Sequence, residues 1–168
     1  PFFEDILFFD ATFNGIVPLE IWIDSKREEG IVRPATLRRM NQLQETIDEI
    51  PELAPSLSVV NAVKYAKQAY YNGNPNYFAL PTSQENSFIY PFLNSSNSNS
   101  QLLNGYVDST GQFGRITTYM KDIKTSRMEE IETDLKESIA KIFPKDRYGV
   151  NITGKSLLFL KGTKYFIN

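Results

Sequence analysis

Hydrophobic and polar positions recur along this chain with two periods, and the period changes where turn-forming residues stand. Val17, Leu19, Ile21 and Ile23 alternate with Pro18, Glu20, Trp22 and Asp24, the two-residue repeat of a strand with one buried face. From Pro34 the repeat lengthens: Leu37, Met40, Leu43, Ile47 and Ile50 follow in steps of three and four until Pro51. That spacing predicts an amphipathic helix with proline in its first turn and a second proline ending it. Upstream, Phe2, Ile6, Phe9 and Phe13 predict a short helix closed by Asn14-Gly15.

The middle of the chain is less regular. Residues 56–60 form a short β-prone run and predict a second strand, after which Val63, Ala66, Ala69 and Tyr70 predict a helix ending at Asn72-Gly73. Residues 74–103 hold three prolines and the run Asn94-Ser95-Ser96-Asn97-Ser98-Asn99-Ser100. Such side chains compete with the backbone for hydrogen bonds, so an irregular insertion with a helix over residues 84–90 is expected.

Residues 114–120 then read as a third strand, with Ile116 and Thr118 on one face and Arg115, Thr117 and Tyr119 on the other. Ser126-Arg127-Met128-Glu129 has capping-box spacing and opens a helix whose stripe is Met128, Ile131, Leu135, Ile139 and Ile142. Glu132 with Lys136 and Glu137 with Lys141 are favourable pairs on its wet face. Past Pro144, the alternation of Tyr148, Val150 and Ile152 predicts a fourth strand, followed by the apolar residues 157–160. The order βαβ then βαβ predicts an α+β domain: a ferredoxin-like split βαβ with a four-stranded, mainly antiparallel sheet and helices on one face. Residues 1–168 make a single domain on this reading.

Charge narrows the partners. Lys and Arg number 18 against 20 Asp and Glu, a net charge of -2, which gives no pull toward nucleic acid. Histidine and cysteine are both absent. That removes Ser-His-Asp and Cys-His triads, thiol redox chemistry and zinc sites of imidazole or thiolate. A chain without cysteine fits an oxidising compartment. No cofactor, metal or catalytic residue is assigned, and the chain is read as a non-enzyme.

Gly149-Val150-Asn151-Ile152-Thr153-Gly154-Lys155-Ser156 matches the phosphate-loop pattern in every letter. That motif needs a buried strand before its first glycine and a long helix after its Ser. Pro144-Lys145-Asp146-Arg147-Tyr148 is no buried strand, and the variable positions alternate as a strand themselves, so a nucleotide site is the third-ranked reading. Glu28-Glu29, Asp48-Glu49 and Glu129-Glu130 are read as solvated faces, since helix neighbours diverge by about 100°. Tyr65, Tyr70, Tyr71, Tyr77, Phe78, Phe88, Tyr90 and Phe92 crowd the irregular middle. Exposed, they would contact a hydrophobic ligand or a partner; otherwise they pack this segment onto its own sheet.

The order of short motifs resembles a known family. Phe8-Phe9 and Phe13-Asn14-Gly15 lead into Pro18-Leu19-Glu20-Ile21 and Ile23-Asp24; Leu43-Gln44 and Pro51-Glu52-Leu53 bracket the first long helix. Ser56-Leu57-Ser58-Val59-Val60, Gln68-Ala69-Tyr70-Tyr71-Asn72-Gly73-Asn74-Pro75, Leu80-Pro81, Thr153-Gly154-Lys155-Ser156 and Leu160-Lys161-Gly162-Thr163 follow. Together they resemble an extracytoplasmic loop domain, the second large loop, of bacterial exporters of the resistance-nodulation-division (RND) superfamily, in its MMPL/Patched-like branch. The resemblance implies a porter-type domain on the periplasmic side of the inner membrane, next to the membrane and within a proton-driven exporter of hydrophobic or lipid-like substrates. Its implied partners are the transporter's other loop domain and its membrane helices. Residues 156–168 would lead into a following membrane helix, Pro1 and Asn168 would share one face, and the chain would be an excised piece. The family's proton-relay carboxylates sit in membrane helices, where ionisable groups are costly, so none has a counterpart in this chain. The competing reading is a free-standing extracytoplasmic binding module that uses the aromatic surface.

Overall fold

The computed structural model describes residues 17–95 and 103–153. Three strands, β1 (Val17–Asp24), β2 (Phe113–Met120) and β3 (Gly149–Thr153), form one antiparallel sheet in the order β2-β1-β3. Ile21 of β1 faces Ile116 on one side and Ile152 on the other. This register puts the apolar members of the three strands on one face. Leu19, Ile21, Ile23, Ile116, Thr118 and Met120 are buried there, while Trp22 and Tyr119 point outward and are 39% and 48% exposed.

The inner face is covered by helices. Helix α1 (Pro34–Asp48) opens on Pro34 and brings Leu37, Met40, Leu43 and Ile47 into the core, as the spacing predicts. Helix α4 (Thr125–Ile142) adds Ile131, Leu135 and Ile142 and carries the Lys136–Glu132 pair at 2.5 Å. Between them in sequence lie α2 (Val59–Tyr70), a 3₁₀ turn (Pro75–Tyr77) and α3 (Asn86–Ser95). Full burial of an aliphatic side chain in such a core contributes roughly 1.5–3 kcal/mol.

The predicted strand over residues 56–60 does not form, so among the described residues the sheet has three strands and not four. Ser58 instead caps α2: its hydroxyl accepts from the Val60 N–H, and the Asn61 side chain accepts from the Ser58 N–H. Val59 and Val60, β-prone by type, are thereby drawn into the first helical turn. What remains of the strand lies antiparallel along the far edge of β2 through two bridges, Leu53 to Met120 and Leu57 to Thr117. Leu53 to Leu57 takes four steps against three from Thr117 to Met120, a bulge-like mismatch that breaks the ladder. Pro51 and Pro55 have no N–H to donate to it.

Two helix starts also differ from expectation. Helix α4 begins at Thr125 with Lys124 as N-cap and no side-chain cap bond. Ser126 is thus already inside the first turn and is not the N-cap that the predicted box with Glu129 requires. The insertion helix runs over Asn86–Ser95, not residues 84–90, and holds Pro91 in its interior. The predicted N-terminal helix over residues 2–13, the rest of the Asn/Ser run and the lead-in over residues 156–168 lie outside the described residues, as do the chain ends. No described helix is long and apolar enough to cross a membrane.

Candidate functional site: an aromatic hairpin

Helix α2, the 3₁₀ turn and α3 form a hairpin inserted between the edge segment and β2. Asn72 and Gly73 take left-handed φ values of 58° and 76°, and the Gly73 N–H returns to the Gln68 carbonyl at 2.8 Å. This is the expected helix stop. Asn74 then caps the 3₁₀ turn, its side chain accepting from the Asn76 N–H. Thr82 and Glu85 cap the approach to α3 reciprocally: the Thr82 N–H donates to Glu85 Oε2 at 2.8 Å, and the Glu85 N–H to Thr82 Oγ1 at 3.3 Å.

One polar cluster holds the hairpin shut. Lys67 of α2 is buried and places its Nζ 2.8 Å from Glu85 Oε2, with the Leu80 carbonyl also accepting from it. The Tyr71 hydroxyl donates to Glu85 Oε1 at 3.0 Å. Glu85 thus accepts from an ammonium, a backbone N–H and a phenol. Lys67 above all, then the Thr82 N–H, hold its carboxyl down at about 2. The bond to Glu85 in turn pushes the Tyr71 phenol up from its ordinary value.

The eight aromatic residues singled out in the sequence fall on this hairpin. Tyr70 contacts Tyr71, Phe88 and Phe92 with ring centroids 5.4, 5.0 and 5.6 Å away, joining α2 to α3. Tyr71 stacks on Tyr77 at 4.0 Å and 13°. Tyr65 packs against Phe78 at 4.8 Å, and Lys64 Nζ stands 5.7 Å from the Phe78 ring centre. Tyr65, Tyr70, Tyr77 and Phe78 are exposed, Tyr65 by 58%. Tyr71, Phe88, Tyr90 and Phe92 are half-buried, and burial pushes the Tyr90 phenol up to about 12. Four of the eight rings are therefore exposed and four half-buried, with Phe88, Tyr90 and Phe92 packed against the core.

A second group of exposed apolar side chains was not singled out by the sequence. Trp22, Leu57, Phe113 and Tyr119 lie on or beside the sheet's outer face. Their signal was the outward half of the two-residue repeat, which elsewhere carries ordinary polar residues. The phosphate-loop match takes a different place: Gly149 opens β3, and Val150 to Thr153 pair with β1 as a ladder. Gly154, Lys155 and Ser156 lie outside the described residues. Among the described residues no three acidic side chains converge to hold a metal ion. In comparison with known proteins, the sequence matches no family model and no curated protein.

Proposed function

We propose that this chain is the extracytoplasmic loop domain of an RND-type exporter, docked by its aromatic hairpin against the transporter's other loop domain. The observation that carries the reading is the exposed set Tyr65, Tyr70, Tyr77 and Phe78, four large apolar side chains on one inserted element. Monomer surfaces rarely concentrate rings in this way unless a partner covers them. The edge segment, β2, β1 and β3 lie side by side in that order, each antiparallel to its neighbour. This supports a ferredoxin-like split βαβ frame whose fourth strand has shrunk to two bridges. Placement on the periplasmic side of a bacterial inner membrane, a role without catalysis, and exposure to hydrophobic substrate belong to the same proposal.

Two measurements test it. The gene around this segment should encode an apolar stretch of about 20 residues on each side; flanks without them leave the free-standing binding module as the better reading. In the full-length protein, a photo-crosslinking residue at position 77 should trap the other loop domain. The same probe at exposed Glu137 on α4 should not. Equal trapping at both positions would overturn the assignment of the hairpin as the docking element.

A further inference from the structure

Two chain segments share the far edge of β2 and leave a cleft between them. Leu57 exchanges both backbone bonds with Thr117, each 2.9 Å. Two residues along, the Arg115 N–H donates to the Tyr106 carbonyl at 2.9 Å, and Val107 bridges to Gly114. Where the segments approach, a cleft of about 370 Å³ opens, lined by Pro55, Leu57, Tyr106, Arg115, Thr117 and Tyr119. That volume lies within the range of roughly 300–1,000 Å³ usual for small-molecule sites.

The walls are apolar, with Leu57 47% and Tyr119 48% exposed and the Tyr106 ring half-buried. One polar group interrupts them, and a second is buried behind them. The Arg115 guanidinium donates from Nε to the Gly105 carbonyl at 2.7 Å and from one terminal nitrogen to Glu20 Oε1 at 3.1 Å, and it stands 5.9 Å from the Trp22 ring centre. A guanidinium has five N–H groups, so these bonds leave part of its donor fork unused among the described residues. The Glu20 pair is partly solvated, with 35% and 27% of the two side chains exposed, and such pairs hold weakly. Beside it the Thr117 hydroxyl is buried without any hydrogen-bond partner among the described residues. Buried hydroxyls are nearly always paired, and a step between staggered χ1 positions would turn this one toward the cleft.

We propose that this cleft binds a small aromatic carboxylate. The acid's oxygens would meet the free side of the Arg115 fork, the geometry in which guanidinium and carboxylate pair best, and take the Thr117 hydrogen. Its ring would lie between Tyr106, Tyr119 and Leu57, where edge-to-face and offset contacts are available. Glu20 competes for the same guanidinium and weakens the site. The site stands apart from the hairpin and does not depend on the transporter reading.

Titration of the isotope-labelled 168-residue chain with 2-naphthoate, followed by backbone amide shifts, tests it. Shifts should centre on residues 57, 106, 115, 117 and 119, and uncharged 2-naphthalenemethanol should bind about tenfold more weakly. Arg115→Met should weaken naphthoate about tenfold, and Glu20→Gln should strengthen it about threefold by removing the competing negative charge. The two variants break the same surface pair, so a merely structural role would move both in one direction. Equal binding of acid and alcohol, weaker binding by Glu20→Gln, or shifts centred on Tyr65 and Tyr77 would each overturn the proposal.

Discussion

The sheet frame and the inserted hairpin hold themselves together in different ways. In the frame, β1, β2, α1 and α4 meet through side chains almost wholly withdrawn from water: Ile21, Met40, Leu43 and Ile116 are 0–1% exposed. Their stabilisation is the non-directional burial of aliphatic surface. The hairpin is anchored to this core by Val63, Ala66 and Ile89, but its tip is fastened by the Lys67–Glu85–Tyr71 cluster and by ring contacts with one side in water. Its stability is therefore more electrostatic and more local. An element built this way leaves large apolar area outside, where a partner would find it.

If the frame is held by packing, truncation inside it should have the largest effect of any single change. Leu43→Ala should cost about 3–4 kcal/mol, lost transfer energy plus the cavity left behind. Urea unfolding should show it as a lower midpoint with an unchanged slope. A loss under about 1 kcal/mol would mean that α1 is less tightly packed than its burial indicates.

Breaking the hairpin's cluster comes next. Lys67→Met leaves the Glu85 carboxylate enclosed without its cation, a change on the order of 3 kcal/mol. The cluster also predicts a pH dependence. Lys67, the Thr82 N–H and Tyr71 depress the folded carboxyl to about 2, against an ordinary 4.5. A depressed acid contributes stability that is complete above the unfolded value and is lost as pH falls toward the folded one. Stability should therefore decline between about pH 4.5 and pH 2, and the Glu85-dependent part of that decline should shrink in Lys67→Met. Identical acid profiles for the two proteins would show that the pair does not fasten the hairpin.

The same division explains what was legible in the sequence. The frame was readable because packing writes itself as periodicity: β1, α1, β2, α4 and β3 all appear in the spacing of Leu, Ile and Val. The edge strand was misread because Val59 and Val60 favour strand by type, while Ser58 and Asn61 decide the matter through two hydrogen bonds. Asn61 occupies the position where the usual capping box has Glu or Gln, so the signal was muted. At Ser126 the familiar letters were present, but the helix starts one residue earlier, at Thr125, with Lys124 as its N-cap. The aromatic hairpin was visible as composition, but which rings face water depends on how α3 packs on α2, a long-range contact that no local pattern encodes. Trp22 and Tyr119 were placed on the outer face but not singled out as a surface, because alternation tells which face a residue joins, not whether anything covers that face.

The smallest expected effect is the sharpest test of the contrast between frame and hairpin. Tyr65 is 58% exposed, and among the described residues its ring contact is Phe78 at 4.8 Å. An aromatic pair of this kind contributes about 0.5–1.5 kcal/mol beyond area burial when enclosed, and less where water reaches both rings. Tyr65→Ala should accordingly cost under about 1 kcal/mol in urea unfolding, near the scale of an ordinary surface change. Large aromatic truncations in a closed core cost about 3–5 kcal/mol instead. A loss of that size at Tyr65 would place the ring inside the chain's own core in solution and remove it from the proposed docking surface. A small loss, together with loss of crosslinking from position 77 when Tyr65→Ala is introduced in the full-length protein, would separate the ring's contribution to folding from its contribution to binding.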